Sequence, residues 1–292
     1  MRESRGSSRL TFRRLCSRAP ATIRRSVTRT MLGAAPDSFR TALHGDEPGK
    51  ARVTFMLAIL NQGQVEPALR RIATATQALL RQTLDLEEDD WRAPSLLPGW
   101  SRAHVASHIS RNADALRRVI AAARDGEPAP LYPSSAAKFN DIERGSERSG
   151  LELHVDLDTS AGELANLCER VEDWLVPVRL IGGEFPLSVV TLIRLHELTL
   201  HHLDLDTGFT WEDVDLIPAR WMLEWMLILL RDDQSLPAVD IESDAGVAAS
   251  LGGVGERRTV TGPDAALWAW VTGRTKGEGL TDAEGISFPL AG

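Results

Sequence analysis

Cysteine is scarce in this chain: 292 residues contain two, Cys16 and Cys168, and neither has a partner at metal or redox spacing. That excludes a disulfide framework and fits a reducing cytoplasm. A Ser-His-Asp signature is missing, and so is a glycine-rich phosphate loop following a strand; Gly252-Gly253 reads only as a turn signal. Nucleophilic serine chemistry and nucleotide binding are therefore unsupported. Residues 1–52 hold no apolar run long enough for a signal or membrane segment. An excess of positive charge is also lacking, because the formal net charge is −8, which argues against nucleic acid as the main partner. Internal repeats are absent.

What is present is an uneven chain with enough apolar content, 43%, to bury a substantial core. Residues 1–52 hold twelve basic and four acidic side chains, a local excess of +8 within the total of −8, so the remainder carries −16. This basic extension, rich in Arg, Ser and Thr, lacks a periodic apolar face and is expected to be disordered. A start codon placed too far upstream, with Met31 or Met56 as the native start, is the expected explanation; a basic arm for nucleic acid or anionic lipid is the alternative. From Val53 onward the pattern is mostly helical. It predicts helices over Val65 to Leu84, Arg102 to Arg124, Ala161 to Leu175 and about Pro186 to Asp204. The connection Asp125 to Gly150, with Gly126, Pro128, Pro130 and Pro133, reads as a lid, a substrate loop or a plain surface crossover. After Gly208 a helix over Ile217 to Leu230, strands around Ala238 to Ile241 and Arg257 to Val260, and a helix over Pro263 to Gly273 suggest a small α+β unit. Trp221, Trp225, Trp268 and Trp270 are expected to fill its core and the domain interface, with the wall of a cleft as the alternative.

The segment Pro186 to Asp204 is apolar around most of its circumference, yet one polar seam runs through it. Arg194, Glu197, His201 and Asp204 follow one another at intervals of three, four and three residues. Residues four apart stand nearly above one another on a helix, so Glu197 and His201 are able to reach one ion together. Ionisable groups in a helical core are retained when they are paired or bound to a metal. On this helix alone two readings stay open. One is an ion-pair network of Arg194 with Glu197 and Asp204, with His201 hydrogen-bonded in the core; the other is half of a metal site.

A third ligand would come from the segment Ser95 to Ile120, with its Pro98-Gly99 turn, Ser101 as N-cap, and Val105, Ile109, Ala113, Leu116 and Ile120 at helical spacing. His108 lies within that apolar stripe and His104 one turn earlier. Their spacing does not choose between a His108 ligand, a His104/His108 pair, and a core histidine satisfied by a carbonyl. Three His and carboxylate ligands would leave a tetrahedral zinc with one open position, where a water or a thiolate is activated.

Four stretches in order, LLPGWSRAHVASHISRNADAL, GEPAPLYPSS, RLHELTLHHLDL and GPDAALWAWVTGRTKGEGL, resemble the mycothiol-dependent maleylpyruvate isomerase family of actinobacteria. The resemblance runs from about Val53 to the C-terminus. It implies an α+β protein: a DinB-like metal-binding four-helix bundle over 53–210 followed by a smaller C-terminal α+β domain over 211–292. It also implies that His108, Glu197 and His201 hold a divalent metal, zinc by expectation, and that mycothiol is the thiol cosubstrate. Arg274 falls on the family's closing Gly-Arg motif and is implied as a catalytic group clamping a substrate carboxylate; without the resemblance it would read as an exposed charge at a helix end. Asp204 is a candidate acceptor for an imidazole N–H, whereas His202 points about 100° away from His201.

The implied reaction is cis–trans isomerisation of a small molecule by reversible thiolate addition, in a cytoplasmic monomer or small homo-oligomer. Alternatives are a mycothiol S-transferase acting on another electrophile, a metal-dependent hydrolase, and a non-catalytic metal-binding homologue.

Overall fold

The computed structural model describes residues 62–127, 130–180 and 183–291. The expectations for the basic extension 1–52, for a start at Met31 or Met56, and for the first residues of the bundle therefore lie outside the described residues.

The chain is an α+β protein built on four long helices: α1 (Gln62–Leu84), α3 (Arg102–Arg124), α5 (Gly150–Cys168) and α6 (Val189–Asp204). Each packs on two others in the cyclic order α1, α5, α3, α6. The short α2 (Glu88–Arg92) and the turn containing Gly99 lead into α3. Within α3 the side chains of Val105, Ile109, Ala113, Leu116 and Ile120 are all at most 1% exposed, so the apolar stripe read from the sequence faces the bundle interior.

Two helices depart from the expected boundaries. The crossover after Asp125 is not a plain loop, because α4 (Ser135–Ser146) forms within it and packs on α3. Ser134 caps it, accepting from the Ala137 N–H at 3.0 Å, and Ile142 is buried. Pro128 and Ala129, in the same connection, lie outside the described residues. Helix α5 begins at Gly150 rather than near Ala161 and stops at Cys168 rather than Leu175. Its start is set by a reciprocal cap in which the Ser149 N–H donates to Glu152 Oε2 at 2.8 Å and the Glu152 N–H to Ser149 Oγ at 3.4 Å. The residues beyond Cys168 turn into a hairpin, β1 (Pro177–Leu180) against β2 (Gly183–Pro186), with Val178 opposite Phe185.

After the bundle come α7 (Leu216–Leu230), the strands β3 (Pro237–Ser243), β4 (Ala248–Leu251) and β5 (Val254–Gly262), and α8 (Asp264–Val271). The strands form a sheet in the order β4-β3-β5, antiparallel then parallel. Trp268 and Trp270 of α8 are fully buried, and Trp221 and Trp225 of α7 are 8% and 7% exposed. One apolar cluster runs without a break from Leu116, Leu192 and Leu195 in the bundle to Trp225, Val239, Val260 and Trp268. The C-terminal part is thus packed onto the bundle through its core. No helix among the described residues is long and apolar enough to cross a membrane.

Candidate metal centre

Helices α3 and α6 lie against each other, and their polar positions meet at the contact. His108 comes from the middle of α3, Glu197 and His201 from successive turns of α6. One potential ligand atom from each of the three lies within 4.8 Å of the others. The Nε2 atoms of His108 and His201 stand 3.2 and 3.6 Å from the same oxygen, Glu197 Oε2, and the two rings are 4.4 Å apart between centroids. His108 and His201 are 1% and 2% exposed and Glu197 13%, so the carboxylate is the side of the cluster nearest solvent.

The surrounding hydrogen bonds decide which nitrogen is free. His201 Nδ1 lies 2.8 Å from Asp204 Oδ2, and an ionised carboxylate only accepts, so Nδ1 carries a proton and Nε2 is the nitrogen left to face Glu197. That Nε2 is buried and makes no well-formed hydrogen bond. An imidazole nitrogen and a carboxylate oxygen that face each other at 3.6 Å are donors a divalent cation would bridge, with Asp204 as the acceptor behind the ring. His108 Nδ1 is also buried without a partner, so that ring lacks such an acceptor. Asn112, one turn further along α3, adds a contact from Nδ2 to Glu197 Oε2 at 3.4 Å.

The two rings differ in charge. Burial, followed by the charges of Lys138 and His201, pushes the His108 pKa down to about 3, against the opposing pull of Glu197, which leaves the imidazole neutral. Burial alone would raise Glu197, but its contacts with His108 and His201 outweigh this and hold it well below the usual range. Burial would likewise lower His201, yet Asp204 and Glu197 raise it, which favours the protonated ring; a bound cation would take the place of the Nε2 proton. Two neutral-capable imidazoles facing one ionised carboxylate are a donor set suited to zinc or a similar divalent ion.

The other polar residues of the seam take different places. Arg194 is 1% exposed and donates to the Ile109 carbonyl at 2.8 Å and to Asn112 Oδ1 at 3.1 Å. Its ion pair with Glu197 and Asp204, one of the two sequence readings, does not form; the partner of Asp204 is instead Arg274. His104 turns back to the start of its helix, with Nδ1 2.7 Å from Ser101 Oγ, and its ring stacks on Trp100. It is outside the three-residue cluster. His202 points elsewhere too, bonding Gln82 Oε1 and stacking on Phe209 at 4.0 Å.

Arg274 reaches the bundle from the C-terminal part but not as a clamp facing an open site. Gly273, at φ +78°, ends α8 in a left-handed turn. The Gly273 N–H donates to Trp270 O and the Arg274 N–H to Ala269 O, both at 2.9 Å. The guanidinium so placed donates from Nε to Asp204 Oδ1 at 3.0 Å and from Nη2 to Asp204 Oδ2 at 2.9 Å, and from Nη1 to the carbonyls of Thr272 and Ala291. Its side chain is 1% exposed and that of Asp204 0%. Arg274, Asp204 and His201 therefore form one hydrogen-bonded chain ending at the cluster. Two further side chains near the cluster lie in the crossover: Tyr132 falls inside the stretch GEPAPLYPSS but drew no role from it, and Lys138 carried no motif.

Residues 72–206 match the family described as the mycothiol maleylpyruvate isomerase N-terminal domain. Among solved structures, the mycothiol-dependent maleylpyruvate isomerase and a mutant of it superpose with TM-scores of 0.70 each. Their sequence identities are 23% and 22%, covering 78% of this chain and 97% of theirs. No curated protein matches the sequence. The family match is confined to residues 72–206, and the chain shares the fold of that isomerase.

Proposed function

We propose that the protein is a metal-dependent enzyme that uses mycothiol as its thiol cosubstrate and isomerises a cis double bond conjugated to carbonyls, as the name of its structural neighbours describes for maleylpyruvate. The observation that carries the reading is the convergence of His108, Glu197 and His201 from two helices, with the buried His201 Nε2 lacking a well-formed hydrogen bond. His108, Glu197 and His201 would hold a divalent cation, zinc by donor type. When bound, that ion would lower the pKa of a thiol so that its anion exists at neutral pH.

The thiol so activated would supply reversible addition to the conjugated double bond, which gives that bond single-bond character and consumes no proton, oxidant or reductant once the addition is reversed. The chain's own contribution is to fix geometry. Asp204 holds the His201 ring with Nε2 toward Glu197, Arg274 neutralises Asp204, and the apolar walls of α3 and α6 keep water from the buried side.

The test is metal analysis of the purified protein and of His108→Ala, paired with a maleylpyruvate absorbance assay with and without mycothiol. The expectation is about one equivalent of zinc in the wild type, loss of it in the variant, and turnover only with the thiol. Metal retained by the variant would remove the ligand set; turnover without thiol would remove the mechanism and favour a hydrolase-type site.

A further inference from the structure

The crossover between α3 and α5 brings one of the chain's three lysines and its single tyrosine to the metal cluster. Its path follows α3 backwards. Leu131 O accepts from Arg118 at 3.4 Å, the Ile142 carbonyl accepts from Ser107 Oγ at 3.0 Å, and Glu143 Oε1 lies 3.6 Å from His104 Nε2. Helix α4 approaches α3 this closely because Gly145 has no side chain: a Cβ there would lie 2.1 Å from Ser107 Oγ. Lys138 is one turn before Ile142 on the same face of α4. It therefore lies between the level of Arg118 and that of Ser107, beside His108.

Three properties of this pair are unexplained by folding alone. The Lys138 ammonium has no carboxylate within ion-pair distance among the described residues; its recorded contact is with the face of Tyr132, 5.2 Å from the ring centroid. The Tyr132 hydroxyl is buried with no acceptor for its proton among the described residues; Asn112 acts on it as a donor, and the Asn112 carboxamide is otherwise engaged with Glu197 and Arg194. Burial raises the Tyr132 pKa and lowers that of Lys138, and both groups feel the charge of Glu197. Third, the other buried cations of the cluster are already engaged, Arg274 by Asp204 and backbone carbonyls and Arg194 by Ile109 O and Asn112 Oδ1.

We propose that Lys138 and Tyr132 form the anion-recognising wall of this site, the Lys138 ammonium pairing with a carboxylate of the substrate and the Tyr132 hydroxyl donating a hydrogen bond to it. This assigns recognition of the substrate carboxylate to the crossover instead of to Arg274. A buried phenol without an acceptor and an ammonium without a counter-ion are both satisfied by one planar carboxylate. The assignment rests on the metal-site reading above but not on the thiol.

The experiment is calorimetric titration of the metal-loaded protein with maleate, and with dimethyl maleate as the uncharged counterpart, for wild type, Lys138→Met, Lys138→Arg and Tyr132→Phe, with metal content measured in each. Maleate is expected to bind the wild type and the ester not to. Lys138→Met is expected to weaken maleate binding by about ten- to a hundredfold at unchanged metal content, with Tyr132→Phe weaker by a smaller factor and Lys138→Arg retaining most of the affinity. In turnover the same loss is expected in KM with kcat little changed. Maleate affinity that is equal in wild type and Lys138→Met at equal metal content, or no maleate binding by the wild type, overturns the proposal. Should Lys138→Met fail to fold, the Tyr132→Phe and Lys138→Arg titrations decide in the same way. Lys138-dependent maleate binding without thiol-dependent turnover would refute the isomerase reading and leave this inference standing.

Discussion

Replacing Arg274 by Met tests whether this arginine supports the metal ligand or handles substrate. In the structure the guanidinium makes two hydrogen bonds to Asp204, at 3.0 and 2.9 Å, and both side chains are out of solvent, at 1% and 0% exposure. Solvent screening therefore gives little relief. Removing one partner of a buried ion pair costs about 3–5 kcal/mol. Asp204 retains its bond to His201 Nδ1 at 2.8 Å, which places the expectation near the lower end, about 3 kcal/mol. The second effect is on the metal. Asp204 freed from Arg274 is able to rotate or take up a proton, His201 loses its fixed orientation, and metal affinity should fall roughly tenfold or more. Urea unfolding of the metal-free protein reads the first quantity, and competition with a chromogenic chelator the second. A double-mutant cycle with Asp204→Asn should give a coupling of about 1–3 kcal/mol. The reasoning is refuted if Arg274→Met unfolds within about 0.5 kcal/mol of wild type and binds metal as tightly, while its KM for substrate rises. Arg274 would then leave Asp204 to serve the ligand.

Burial depresses the folded pKa of His196 to about 4, with Glu197 opposing and His201 and Arg274 assisting. A histidine with a depressed folded pKa contributes stability that is present above pH 6.5 and lost as pH falls toward 4. The metal-free protein should therefore be less stable at pH 5 than at pH 7, by about 2 kcal/mol for this group, and His202, also lowered to about 4 by burial, adds to the effect. His201, raised in the fold, acts oppositely: its contribution is present below its unfolded value and fades as pH rises through the folded one. A urea midpoint independent of pH between 7 and 5 would contradict the assigned burial of these imidazoles. Gly273→Ala should destabilise the protein by about 1–3 kcal/mol, since its φ is +78° and the new Cβ would meet Pro289 O at 2.7 Å; thermal unfolding checks it, and an unchanged midpoint would deny the left-handed turn. Glu197→Gln should keep the fold but lose bound metal, because a neutral amide replaces the only carboxylate shared by both imidazoles; retention of a full equivalent on elemental analysis would exclude Glu197 as a ligand.

The long helices were legible where periodicity and caps agreed. Over Arg102–Arg124 the expected and observed limits coincide, because Ser101 marks the start and the apolar stripe is continuous. For α5 the cap was present as Ser149 and Glu152 three residues apart, yet its core positions Leu153, Leu157, Ser160, Leu164 and Cys168 include a serine and sit among acids, which dilutes the apolar signal. The α4 helix was hidden by the prolines before it, which end at Pro133 and leave Ser134 free to cap. Long-range pairing explains the rest. Nothing local in Pro177–Pro186 distinguishes a hairpin from a loop until Val178 and Phe185 find the core, at 7% and 4% exposure.

At the site, spacing supplied the two positions on α6, and the apolar stripe placed His108 on the inner face of α3. What spacing could not supply was the third tier. Sequence reasoning treated Asp204 as a possible acceptor and Arg274 as a substrate clamp, two separate roles, but α8 ends where the guanidinium meets that same carboxylate. A buried aspartate beside a histidine needs a cation, and within the bundle the available one, Arg194, is taken by Ile109 O and Asn112. The cation comes from the C-terminal part instead. The orientation of a helical-bundle imidazole thus depends on a residue 70 positions later in the chain, and the apolar cluster that runs from Leu192 to Trp268 holds that residue in register. The three-residue cluster is, in this physical sense, a property of both parts of the chain, although all three of its converging side chains belong to the bundle.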